Sequence, residues 1–119
     1  MRKTTSTILA AALMLLLITG DAAAQTRISF RRGSTSATVR GTIGVNRGIA
    51  GANYRTYVLR ANAGQTISAT VSSRNGKVAF AENDETDYTI MTDSARDYEL
   101  RIYNGGENRT SYAITVSIR

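Results

Sequence analysis

Chemistry in this sequence falls to acids, arginines, amides and tyrosines, because it contains no histidine and no cysteine. Without those two residue types the usual zinc, haem and thiol sites have no ligands. A catalytic triad also lacks its usual general base, and no aspartate-rich loop replaces it. Composition therefore argues against an enzyme, a resident metal and a cofactor. The densest run of acids, "ENDETDY" at 82–88, invites a calcium reading. A calcium loop of the EF-hand kind needs alternating oxygen ligands, a glycine at the sharp turn and a distant bidentate glutamate. This stretch has no glycine, and consecutive carboxylates cannot all converge on one ion. It reads as an exposed acidic loop. Gly41, Gly44, Gly48 and Gly51 match neither the dinucleotide fingerprint nor a phosphate-binding loop, and no helix follows to supply a dipole. Tyr54 and Tyr57 face opposite ways in an extended strand. Tyr54 is then a lone surface ring, which offers no stacking platform for nucleic acid.

The elements that position these residues are strands. Apolar side chains recur with period two along nearly the whole chain, and no stretch sustains a helical period. One face collects Tyr57, Leu59 and Ala61, then Ile67, Ala69 and Val71. Later faces collect Tyr98, Leu100 and Ile102, and finally Tyr112, Ile114, Val116 and Ile118. Seven to eight short strands with turn residues between them predict an all-β fold, a single antiparallel β-sandwich over residues 25–119. Residues 54–61 and 66–73 read as a hairpin connected through 62–65. Asn75-Gly76 suits a type I′ turn at the next reversal. The stretch 44–53 is a glycine-rich loop, and 104–108 is another turn. Tyr57, Tyr98 and Tyr112 belong to the core, with their hydroxyls expected at the rim of the sandwich.

The first residues read differently. Arg2 and Lys3 precede an uncharged apolar run over 8–18, and Ala22-Ala23-Ala24 supplies a small-residue cleavage pattern. The run is too short to span a bilayer, which takes about twenty residues. Residues 1–24 are therefore expected to be a signal peptide, leaving no membrane insertion after cleavage. From 25 to 81 every charged side chain is basic, and the acids follow from Glu82 to Glu107. A basic exported protein meets polyanions, an acidic partner cleft or the outer envelope.

Three stretches, "ISFRRGSTSATVRGTI" (28–43), "YRTYVLRANAGQTISATVSS" (54–73) and "DYELRIYNGGENRTSYAITVSIR" (97–119), resemble the periplasmic inhibitors of goose-type (g-type) lysozyme. Phe30, Arg32-Gly33, Tyr57, Ala61, Gly64-Gln65 and the run from Tyr98 to Arg101 stand at the matching places. The resemblance implies a non-catalytic bacterial protein, periplasmic or secreted, that blocks the substrate cleft of a g-type lysozyme. Such a cleft carries carboxylates, which arginine and amide groups on inserted loops can hydrogen-bond. It places the partner-binding residues on two loops: Arg47, Asn53 and Tyr54 on the first, Asn104, Asn108 and Arg109 on the second. This chain departs from the pattern in both. The first loop is longer and glycine-rich, and in the second only Arg109 keeps the basic character. Arg74 and Lys77 fall at a separate hairpin. The alternative reading is a stand-alone exported module for cell-wall or extracellular polysaccharide, presenting Tyr54 and Tyr103 as its outward aromatics.

The exported form should begin at Gln25. Intact mass of the material recovered outside the cytoplasm should lack residues 1–24, and a full-length membrane-bound species would overturn this assignment.

Overall fold

The computed structural model describes residues 25–119; the export segment expected over 1–24 lies outside them. Eight strands follow one another: β1 (Gln25–Arg27), β2 (Ser36–Ile43), β3 (Tyr54–Ala61), β4 (Thr66–Ser73), β5 (Val78–Phe80), β6 (Asp87–Met91), β7 (Arg96–Asn104) and β8 (Thr110–Ile118). They form two four-stranded sheets, ordered β1-β3-β7-β5 and β2-β8-β4-β6. The inner faces close on one core, as an all-β sandwich requires. Ile43, Leu59, Ile67, Phe80, Leu100, Ile102, Ile114 and Val116 are fully buried. Each contributes about 1.5–3 kcal/mol on burial. They are the inward residues of the alternating pattern, so period two predicts the faces of the strands well.

Pairing is another matter. Odd-numbered strands all lie in the first sheet and even-numbered strands in the second, so every connection crosses the sandwich. The expected hairpin of residues 54–73 is thus not a hairpin. β3 lies between β1 and β7, while β4 lies between β8 and β6. A hairpin and a sandwich corner each bury one face of both strands, so alternation cannot separate them. The corner itself is built by Thr92, whose Oγ1 donates toward the carbonyls of Asn62 and Gln65 at 2.6 and 3.0 Å and accepts from the Gln65 amide at 2.7 Å.

Two smaller expectations also change. The sandwich is not antiparallel throughout, because β1 runs parallel to β3. Two successive crossings, through β2, return the chain in its starting direction. The reversal after β4 is not type I′, since that turn needs positive φ at both central residues. Here the Gly76 amide donates to the Ser73 carbonyl at 3.2 Å, and of the central pair and Gly76 only Gly76, at 68°, has positive φ.

A pair of tyrosine hydroxyls joins the sheets inside the core. The hydroxyl of Tyr57 on β3 hydrogen-bonds that of Tyr112 on β8, with the rings edge to face at 6.5 Å. These hydroxyls satisfy each other in the interior instead of reaching the rim. Tyr112 stands opposite Gly41 in the β2–β8 register, and a Cβ at residue 41 would come within 2.8 Å of its hydroxyl. The ring occupies the space that glycine leaves.

Burial, reinforced by the Tyr57 hydroxyl, pushes the Tyr112 phenol well above its ordinary value near 10. Above about pH 10 the unfolded chain loses this proton while the folded chain keeps it, so stability must fall as pH rises. Urea unfolding between pH 9 and 11.5 should show that fall. Tyr112→Phe should flatten it by up to about 1.4 kcal/mol per pH unit, and an unchanged slope would refute this account.

Candidate partner-binding site

Three connections meet at one end of the sandwich: 44–53 after β2, 74–77 after β4 and 105–109 before β8. They carry four exposed cations, Arg47, Arg74, Lys77 and Arg109, against a single carboxylate, Glu107. Local sequence explains the loop shapes. Gly48 and Gly51 hold φ of 87° and 82°, which lets 44–53 double back on itself. The Ala52 amide then donates to the Ile49 carbonyl at 3.2 Å and the Tyr54 amide to Gly51 at 3.1 Å.

Asn104 organises this end. It is the last residue of β7 and only 2 % exposed. Its Nδ2 donates to the carbonyls of Ile43, Gly44 and Asn108 at 3.4, 3.1 and 2.9 Å. Its Oδ1 accepts from the Gly106 amide at 2.9 Å and from Asn75 Nδ2 at 3.2 Å. Its own amide donates to the Asn53 carbonyl at 2.9 Å. One side chain thereby touches all three connections. The expectation that Asn104 meets a partner directly is corrected by its burial: it continues the inward series of Tyr98, Leu100 and Ile102 and positions the loops instead.

The other expected residues do gather here. Arg47 is exposed and its Nη2 reaches the Glu107 carbonyl at 3.2 Å, tying the first loop to the third. Asn108 and Arg109 are exposed, and Arg109 Nη2 donates to Thr42 Oγ1 at 2.9 Å. Asn53 is half-buried, with Nδ2 3.5 Å from the Asn104 carbonyl and a buried Oδ1 that accepts no hydrogen bond. Tyr54 is on the outer face of the first sheet, at 37 % exposure, with its ring 5.8 Å from that of Tyr103. The Arg101 guanidinium covers it at 5.2 Å, and the Tyr103 hydroxyl donates to Asp84 Oδ1 at 2.9 Å. That bond is the main reason the Tyr103 phenol is raised. Tyr54 and Arg109 therefore flank the loops from opposite sides.

Two features escape the sequence reading. Arg74 and Lys77 do not stand apart, because Arg74 shares an open groove with Arg109, and Lys77 borders Gly105 to Asn108. Ile49, at the tip of 44–53, is 70 % exposed, an apolar side chain between glycines with no core to join. Its isolation in "RGIAG" was the available signal. The acidic stretch, meanwhile, is spent locally. Glu82 accepts from the Arg101 amide, Asn83 Oδ1 from the Glu85 amide, and Asp84 from Tyr103.

The sequence matches no protein-family model and no curated protein. Solved structures are another matter. The chain is similar to Aeromonas hydrophila PliG, a periplasmic lysozyme inhibitor of g-type lysozyme, at 18 % identity and a TM-score of 0.59, over 80 % of this chain and 96 % of that one. Salmonella Typhimurium PliG, of the same description, gives 19 % identity and 0.58, over 80 % and 97 %. A mutant of the Escherichia coli inhibitor gives 19 % and 0.57, also over 80 % and 97 %. The fold is that of the PliG inhibitors. The sequence resemblance thus holds at the level of the scaffold, and the inhibitor fold here carries its own loop end.

Removing the Asn104 side chain should loosen that end selectively. Asn104→Ala leaves buried carbonyls without a donor, at about 1–3 kcal/mol for each group. Urea unfolding should register the loss, and hydrogen exchange should show the Gly106 amide deprotected. The Gly64 amide, bonded to Thr92 at the opposite end, should stay protected. Equal loss at both ends would mean that Asn104 has no special hold on the loops.

Proposed function

We propose that this protein is a periplasmic or secreted bacterial inhibitor of g-type lysozyme, and that the loop end enters the enzyme's substrate cleft. The observation that carries the reading is the concentration of cations and amides on three loops at one end of an inhibitor-type scaffold. A lysozyme cleft has carboxylates that protonate the glycosidic bond and stabilise developing charge. Arg47 and Arg109 are the groups to meet them, since a guanidinium grips a carboxylate with two parallel bonds. Asn108 and Tyr54 add hydrogen-bonding edges, Asn53 supports them from below, and Asn104 fixes the loop positions. Ile49 supplies an apolar anchor of the kind that dominates protein interfaces when it enters a pocket. The proposed action is occlusion, so no catalytic group of its own is needed.

Truncating one partner of a desolvated charge pair costs about 2–5 kcal/mol, whereas a rim charge mostly alters on-rate and salt dependence. Arg109→Ala should therefore weaken inhibition about tenfold or more, and the deficit should persist at high salt. Arg74 and Lys77 are too near to serve as controls; Arg31→Ala, in the connection at the opposite end, should inhibit like wild type. The experiment is a titration of goose-, chicken- and invertebrate-type lysozymes with each variant. Inhibition of none of them by the wild type would sink the proposal. A silent Arg109→Ala would move the interface to Arg47 and Ile49.

A further inference from the structure

The outer faces of the two sheets treat charge differently. On the β1-β3-β7-β5 face arginine meets acid: Arg27 grips Asp97 at 2.6 and 3.1 Å, and Gln25 reaches Glu99 at 3.3 Å. The β2-β8-β4-β6 face is dominated by hydroxyls set in rows by strand register, such as Thr38, Thr115 and Thr70. Its one strand carboxylate, Asp87, sits on the far edge strand β6 and accepts from Thr70 at 2.8 Å.

Nearer the loops this face becomes a trough. The central strand β8 presents only the small Ser111 and Ala113 there. Arg40 rises on β2, and Arg74 and Arg109 rise where β4 ends and β8 begins. Two continuous open hollows of about 480 and 490 Å³ share Arg74 and Ser111. Among the described residues none of the three guanidiniums forms an ion pair, and the hydrogen bond from Arg109 to Thr42 leaves its charge unneutralised.

We infer that this trough binds an acidic polysaccharide, with sugar carboxylates on Arg40, Arg74 and Arg109 and sugar hydroxyls on the serines and threonines between. Three lines support the choice of ligand. The cations are all arginine, whose planar fork matches a carboxylate. Arg40 on β2 and Arg74, the residue that follows β4, are separated by two strand spacings across the sheet, about 10 Å, which suits single charges along a chain better than one dense phosphate cluster. Finally, the trough exposes no aromatic ring, since Tyr112 is buried beneath it, so stacked bases have no platform. This site shares Arg74 and Arg109 with the loop end and extends from it onto the sheet face through Arg40, Ser111 and Ala113; Arg40, which the lysozyme reading does not use, separates the two.

The test is calorimetric titration with polygalacturonate oligomers, using dextran and a single-stranded oligonucleotide as comparisons. Wild type should bind polygalacturonate in preference to both, with affinity falling as salt is added. Arg40→Ala should weaken binding about tenfold or more, and Arg31→Ala should stay within about twofold. The assignment is overturned if the two variants bind alike, or if dextran or the oligonucleotide binds as tightly as polygalacturonate. Lysozyme titrations of Arg40→Ala, run alongside, should match wild type. The two activities are then read independently, whichever of them fails.

Discussion

The loop end depends on one buried amide. Asn104 holds the start of the 44–53 loop through the Ile43 and Gly44 carbonyls, and holds its finish through the Asn53 carbonyl. Between those points the loop projects, with Ile49 exposed at its tip and Arg47 held to the Glu107 carbonyl. The Asn104 side chain fixes 105–109 from both sides and reaches Asn75 in the 74–77 connection. A glycine-rich loop would otherwise carry a large ordering entropy into any encounter. Pinning its ends inside the protein meets most of that cost before a partner arrives. Hydrogen bonds made in the low-dielectric interior are also strong enough to hold such a geometry.

Much of this architecture was legible in the sequence, though unevenly. Period two places Leu59, Ile67, Leu100 and Ile114 in the core because one face of each strand must be buried. It says nothing about which strand lies beside which, because burial is the same for a hairpin and for a corner. That is why 54–73 misleads, and why Arg74 seems remote from Arg109 until β4 and β8 are known to be neighbours. Asn104 is a different kind of miss. Its type and the following glycines suggest a turn, yet counting by two from Tyr98 puts it on the inward face. The alternation was right and the residue type was the distraction. Ile49 breaks the opposite rule, being apolar where no strand exists to bury it.

Likeness to the PliG inhibitors at 18–19 % identity fits this division. The frame requires only apolar side chains at alternate positions and room for a ring at Gly41. Many sequences satisfy that requirement. The loops and outer faces answer to other demands, so the scaffold alone does not fix what is bound. In this chain Arg40, Arg74 and Arg109, none of them in an ion pair among the described residues, gather where β2, β4 and β8 meet the loops.

The strict alternation of strands between sheets has a consequence for how the chain comes together. Ser36 finds its ladder partner at Ser117, and β8 lies between β2 and β4 as the strand that both require. Because β8 follows the other seven described strands in the chain, β2 and β4 each wait with a bare hydrogen-bonding edge until it arrives. Long-range pairing of this kind folds slowly. In the interval the bare edges invite pairing with other chains. A chain lacking residues 110–119 would lose the middle of a sheet rather than a fringe. Truncation and aggregation are therefore the same hazard for this fold, and its final strand acts as the closing stave of a barrel-maker's hoop.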